Sequence, residues 1–187
     1  RPEMTRDISA FVKSCAYCQL SNATSHEAQS ILQAVETQAP FDVLFLDVWT
    51  PSDFPAKWGA LKVLTCLKGM SSFAEAVFLE KADSTTISRA AFASFFIPNG
   101  LPKLVVFDAG SKFACAMTEM CTNLGIPFHT VAKENHKAIL NEGFHRYLNK
   151  VEKIHQADCE SLDQWTMGVF FALYGWNASP VDGTNIT

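Results

Sequence analysis

From Phe41 to Trp49 the chain reads FDVLFLDVW, an almost unbroken apolar run with one aspartate near its end. A strand wet on one face alternates apolar and polar residues. A run without that alternation is how a strand covered on both faces reads. After PSDFPAKWG, a proline-rich turn or loop, come two shorter runs, ALKVLTCL and FAEAVFLE, separated by KGMSS. That pair predicts a hairpin.

Next, DSTTISRAAFASFFIPNG opens on cap-type residues and closes on Pro-Asn-Gly, which predicts a helix with a defined stop. KLVVFDAG is a short apolar strand closing on Asp108 and Gly110, and SKFACAMTEMCTNLG is helical, with Gly125 as its C-terminal cap. IPFHTVA predicts another strand, followed by helices over about 138–156 and 161–176 and a loop-like NASPVDGTNIT. Residues 1–34 are polar and helix-prone, and the composition changes at Pro40. The order is three leading strands, then helix, strand, helix, strand, helix, helix. It predicts an α/β fold in which helices flank a mixed sheet. There is no internal repeat or low-complexity tract.

Composition adds bounds. With 187 residues, 48% of them hydrophobic, the chain can bury a sizeable core, and one main domain is the expectation. No run reaches the roughly eighteen apolar residues of a membrane span, and the opening does not resemble a signal peptide, so no membrane partner is expected. The start at Arg-Pro and the end at Asn-Ile-Thr read as a piece of something longer. A net charge of −4 argues against coating nucleic acid by bulk electrostatics, yet leaves room for a local basic surface beside an acidic site. Apart from Cys15 and Cys18 the six cysteines are scattered, which suits a reducing, intracellular setting. Cys66, Cys115, Cys121 and Cys159 read as small core or near-core residues.

Candidate chemistry lies in three carboxylates. Asp47 sits in or at the end of one apolar strand, and Asp108 ends another. Desolvating an ionised aspartate costs several kcal/mol, on the order of the stability of a whole fold, unless a partner offsets it. A divalent cation is one such partner, and all-oxygen sites suit Mg²⁺. A strand-end aspartate that caps a loop or pairs with Lys or Arg is the plain alternative.

In NHKAILNEGFHRYLNKVEKIH, Leu140, Phe144, Tyr147, Leu148, Val151 and Ile154 form one apolar stripe of a helix. Glu142 falls opposite it, in line with Arg146, Asn149 and Lys153, with His145 close by. A metal-binding glutamate beside phosphate contacts has this pattern. So does a solvated face with a Glu142–Arg146 pair. The helix by itself does not decide.

Taken together, LFLDVWTP, VVFDAGSKF, the segment LGIPFHTVAKENHKAILNEGFHRYLNKV and the Ser-Pro element in NASPVDGT resemble the catalytic core of retroviral and LTR-retrotransposon integrases, within pol polyproteins. The resemblance covers residues 36–187, and residues 1–35 read as the C-terminal remnant of a zinc-finger-like segment with a linker. It implies a ribonuclease-H-like fold: a mixed five-stranded sheet, three antiparallel leading strands and then two parallel, flanked by helices.

The resemblance also implies an Asp47, Asp108, Glu142 triad holding two Mg²⁺ (or Mn²⁺). The activity implied is that of a polynucleotidyl transferase: it trims 3′ ends of element DNA and joins them to target DNA. Lys137, Arg146, Lys150 and Lys153 give the helix region a local positive balance and are expected to contact phosphate, Lys137 and Lys153 foremost, with a solvated face as the plain alternative. Asn135 and His136, just before the helix, either contact DNA or shape the loop. A homodimer or higher oligomer, and a nucleus or virus-like-particle setting, follow from the same resemblance.

Two departures stand out. Thirty-three residues separate Asp108 from Glu142, slightly fewer than the family usually has. Glu134 and Glu152 are the weaker candidates for the third ligand. Cys15 and Cys18 resemble half of a His-His-Cys-Cys zinc site, which needs four ligands. The pair therefore reads as truncated here, with Zn²⁺ expected only in a longer chain. Alternative readings are another ribonuclease-H-like nuclease, which would add a fourth carboxylate, and a decayed or domesticated core serving as a nucleic-acid-binding or dimerisation module.

Overall fold

The computed structural model describes residues 2–14, 40–51, 61–108, 111–131, 141–155 and 159–179. Helix α1 (Pro2–Ser14) precedes the sheet, whose strands are β1 (Val43–Trp49), β2 (Lys62–Lys68), β3 (Ala74–Leu79), β4 (Leu104–Asp108) and β5 (Phe128–Val131). Their spatial order is β3-β2-β1-β4-β5, with β1–β2 and β2–β3 antiparallel, β1–β4 and β4–β5 parallel. This is the mixed five-stranded sheet expected from the sequence.

β1 is central and covered twice, which explains its unbroken apolar run. Val43, Phe45 and Trp49 join one core, while Leu44 and Leu46 join the other on the opposite face. Against the second face lies α2, which begins as Ser84–Ala91, passes through a π-helical turn at Phe92–Phe96 and ends as Ile97–Asn99. Asp83 caps it by accepting from the Thr86 N–H at 2.9 Å. Gly100, at φ 86°, ends it as the Pro-Asn-Gly signal predicted.

Also on that face is α3 (Ser111–Leu124). It closes where the Ile126 N–H donates to Cys121 O at 2.9 Å and the Gly125 N–H to Thr122 O, with Gly125 at φ 66°. This is the glycine C-cap anticipated for Gly125.

The first face is covered by α4 (Asn141–His155) and α5 (Leu162–Asn177). Phe144 and Leu148 are buried, and Tyr147, Val151 and Ile154 are half-buried, so the predicted stripe faces the core from Phe144 onward, Leu140 lying outside the described residues. Glu152 is also buried, a placement the helical pattern did not anticipate. Trp49 of β1 stacks on Trp165 of α5 at 6.0 Å between ring centres, and its indole N–H donates to Asn149 Oδ1 of α4 at 2.8 Å. These contacts fix α4 over the central strand.

Among the cysteines, Cys66, Cys121 and Cys159 are buried as expected, whereas Cys115 is exposed. The near-core reading of Cys115 is corrected: it lies on the outer side of α3, where an apolar-rich helix sequence does not reveal which positions face the sheet. Among the described residues no helix is long and apolar enough to cross a membrane.

Candidate active site on the α4 face of the sheet

Alternation along a strand assigns side chains to faces. Val43, Phe45 and Trp49 point to the α4 side, so Asp47, two residues from Phe45 and from Trp49, points there too. Val106 points the same way on β4, and so does Asp108. β1 and β4 are in parallel register through Leu46↔Phe107, which makes Asp47 and Asp108 the next residues in step on neighbouring strands. Both are half-buried. The register alone brings together two carboxylates that lie far apart in the sequence.

Glu142 stands in the first turn of α4, on the helix packed over that same face. Its side chain is 36% exposed and Oε1 accepts from Arg146 Nη2 at 3.3 Å, the i, i+4 pair that the sequence allowed. Among the described residues no three His, Cys, Asp or Glu side chains are gathered tightly enough to hold a metal ion. As a donor set, Asp47, Asp108 and Glu142 offer only carboxylate oxygens, which fits a hard cation such as Mg²⁺ or Mn²⁺.

His145, one turn beyond Glu142, is the neighbour to which the helical pattern gave no role. Its Nδ1 lies 3.5 Å from Asp47 Oδ2, and its Nε2 lies 2.8 Å from Thr65 Oγ1. Thr65 is fully buried and is the cross-strand partner of Asp47. Burial pushes the imidazole down to about 4, so the ring is neutral near pH 7.

The Thr65 hydroxyl has one proton and two acceptors in reach, His145 Nε2 and, at 3.1 Å, the Asp47 main-chain oxygen. A carboxylate favours an N–H over a ring lone pair as its neighbour, and with the ring proton on Nδ1, facing Asp47, Nε2 is the acceptor for the Thr65 hydroxyl. Asp47 Oδ1 is meanwhile held by the Val48 N–H at 2.7 Å. A polar residue at i+3 from Glu142 was the only sequence signal for His145, and nothing local pointed to Thr65.

Asn141, directly before Glu142, is fully buried, and among the described residues its amide has no hydrogen-bond partner. Of the candidate DNA contacts, Arg146 and Lys153 are exposed and Lys150 is half-buried. Asn135, His136, Lys137 and the alternative ligand Glu134 lie outside the described residues, as do Cys15 and Cys18. The other alternative ligand, Glu152, is buried beside Trp49, Leu148, His155 and Trp165, in the contact between α4 and α5.

No family model matches the chain. Over 135 residues, 68% of this chain, it is 28% identical to the Pro-Pol polyprotein of Simian foamy virus type 3 (strain LK3), of which the match spans 12%. Among solved structures, the simian T-cell lymphotropic virus intasome in complex with the PP2A regulatory subunit B56 gamma has a chain that matches 98% of this one. The match covers 72% of that chain, with a TM-score of 0.61 and 14% identity.

The catalytic core domain of BIV integrase matches 75% of this chain over 86% of its own, at TM-score 0.54 and 17% identity. The HTLV-2 integrase catalytic core domain, solved in complex with magnesium in a dimeric form, matches 80% over 94% of its own, at TM-score 0.54 and 20% identity. The fold is therefore the ribonuclease-H-like fold of retroviral integrase cores. Together with the 28% identity to part of a Pro-Pol polyprotein, it makes the chain similar in both fold and sequence to the integrase cores of pol-type polyproteins.

Proposed function

We propose that the chain is a metal-dependent DNA strand-transfer enzyme whose Asp47, Asp108 and Glu142 hold two Mg²⁺ or Mn²⁺ ions. The observation that carries this reading is the parallel register setting Asp47 and Asp108 side by side on the face covered by the helix of Glu142. The magnesium in the HTLV-2 core adds support. When bound, the ions would supply activation of the attacking oxygen and stabilisation of the leaving oxygen in phosphodiester exchange.

The chain's own residues do the positioning. Asp47 is held by the Val48 N–H, and α4 is tied to β1 through Asn149 and Trp49. With water as nucleophile the reaction trims the 3′ ends of element DNA. With the 3′ hydroxyl as nucleophile it joins that DNA to a target strand.

Arg146, Lys150 and Lys153 on α4, with Asn135, His136 and Lys137 before it, supply the phosphate contacts in this reading. The intasome among the structural neighbours supports a DNA partner, and the dimeric HTLV-2 core supports self-association. Along α5, Met167, Phe170, Phe171 and Tyr174 recur at helical spacing and stay exposed, Phe171 at 66% and Tyr174 at 75%. An apolar stripe of this kind suits burial against a second copy.

The test is Mg²⁺-dependent strand transfer by wild type and Glu142→Gln, in a chain extended by its flanking domains. Loss in the variant is expected. Equal activity would refute the assignment, and loss in Glu134→Gln instead would move the third ligand.

A further inference from the structure

The polar contact between α4 and the central strands has a role in the site. We infer that His145 is a positioning residue for Asp47: from α4 it holds the carboxylate in one orientation, and Thr65 fixes which ring nitrogen faces it. The inference rests on the reading of Asp47 as a metal ligand.

Three observations carry it. His145 Nδ1 stands 3.5 Å from Asp47 Oδ2, on the carboxylate oxygen that the Val48 N–H does not hold. Thr65, fully buried at the position directly across from Asp47, meets His145 Nε2 at 2.8 Å. His145 and Glu142 belong to successive turns of one helix, so a contact that seats the helix on Asp47 also sets the height of Glu142 above it. With one oxygen held from the main chain and the other faced by the imidazole, the carboxylate cannot rotate freely. Polar partners of this kind orient metal-binding carboxylates and set their affinity.

The contact is better matched to orientation than to fold stability. Packing of α4 already comes from Phe144 and Leu148, both buried in the core, and from the Trp49–Asn149 hydrogen bond. A side chain kept at this point only to fill space would need no nitrogen on each side of its ring. Asparagine in place of His145 would carry an amide nitrogen where Nδ1 now stands, whereas leucine would keep bulk and lose the donor.

The experiment measures Mn²⁺ affinity of the chain itself from the electron paramagnetic resonance signal of free Mn²⁺, with folding checked by circular dichroism. His145→Leu is expected to weaken binding about tenfold or more, His145→Asn to stay within about threefold of wild type, and Thr65→Val to weaken it at least about threefold. Wild-type affinity in His145→Leu, or equal loss in His145→Asn and His145→Leu, would overturn the positioning role.

Should the His145 variants not fold, Thr65→Val decides by the same measure, with unchanged affinity counting against the inference. Glu142→Gln separates the two levels. If it binds Mn²⁺ as wild type does, the metal-site reading itself fails and the inference falls with it. If it loses affinity while His145→Leu does not, only the positioning role fails.

Discussion

His145 Nδ1 lies 3.5 Å from Asp47 Oδ2, so helix α4 meets the central strand at the aspartate itself. One turn earlier on the same helix is Glu142, and in step on the next strand is Asp108.

The first prediction concerns Glu142. Replacing it with Gln removes a charge while keeping shape, so Mg²⁺-dependent strand transfer is expected to fall about a hundredfold or more, equivalent to about 2.7 kcal/mol of lost transition-state stabilisation. The same substitution frees Arg146 from its exposed partner and should leave thermal stability within about 0.5 kcal/mol of wild type. A drop in stability as large as the drop in activity would point to a structural role instead.

Burial of His145 makes stability depend on pH. Its folded value is near 4, below the ordinary 6.5, so between those limits the unfolded chain takes up a proton that the folded chain excludes. The contribution is fully present above about 6.5, is lost progressively as pH falls, and levels off below about 4. Its size is on the order of 3 kcal/mol. Urea unfolding of the metal-free chain at pH 7 and 4.5 checks this, with His145→Leu expected to lose less stability over that interval than wild type. An equal loss in both would exclude His145 as the source.

Gly168 of α5 faces the His155 ring so closely that an added Cβ would overlap it. Gly168→Ala should cost about 1 to 3 kcal/mol by overpacking, despite the gain in helix propensity. Combining it with His155→Ala should restore part of that loss, because the obstructing ring is gone. Thermal denaturation of the single and double variants reads the coupling, and strictly additive effects would show that the ring simply moves aside.

Lys153 is exposed on α4, one of the three cationic residues proposed to meet phosphate there. Lys153→Ala should weaken DNA binding regardless of base sequence and flatten the slope of log affinity against log salt by about 0.9. An unchanged slope would leave Lys153 as an ordinary solvated residue.

Phe171 lies at the centre of the exposed α5 stripe. Phe171→Asp should shift sedimentation equilibrium toward the monomer by at least about tenfold in the association constant, since a charge buried in an apolar interface stays uncompensated. If the wild-type chain is monomeric at all concentrations tested, the stripe does not mediate self-association.

Much of this protein was determined by the sequence itself, because the decisive forces act within one element. An unbroken apolar run announced β1 as covered on both faces. Asp83 and Gly125 marked a helix start and stop through their own backbone hydrogen bonds, and the stripe from Phe144 to Ile154 gave α4 its inner face. The three carboxylates were named from the strand ends, the helix pattern and the family resemblance.

Other features were decided only by tertiary structure, because they depend on which elements become neighbours. The order β3-β2-β1-β4-β5 and the parallel register bring Asp47 beside Asp108, and no local pattern encodes that adjacency. The burial of Glu152, the exposure of Cys115 and the π-helical turn in α2 belong to the same class. So does the meeting of Thr65, His145 and Asp47 from β2, α4 and β1. Periodicity places a side chain on a face of its own element, whereas only packing between elements determines what that face meets.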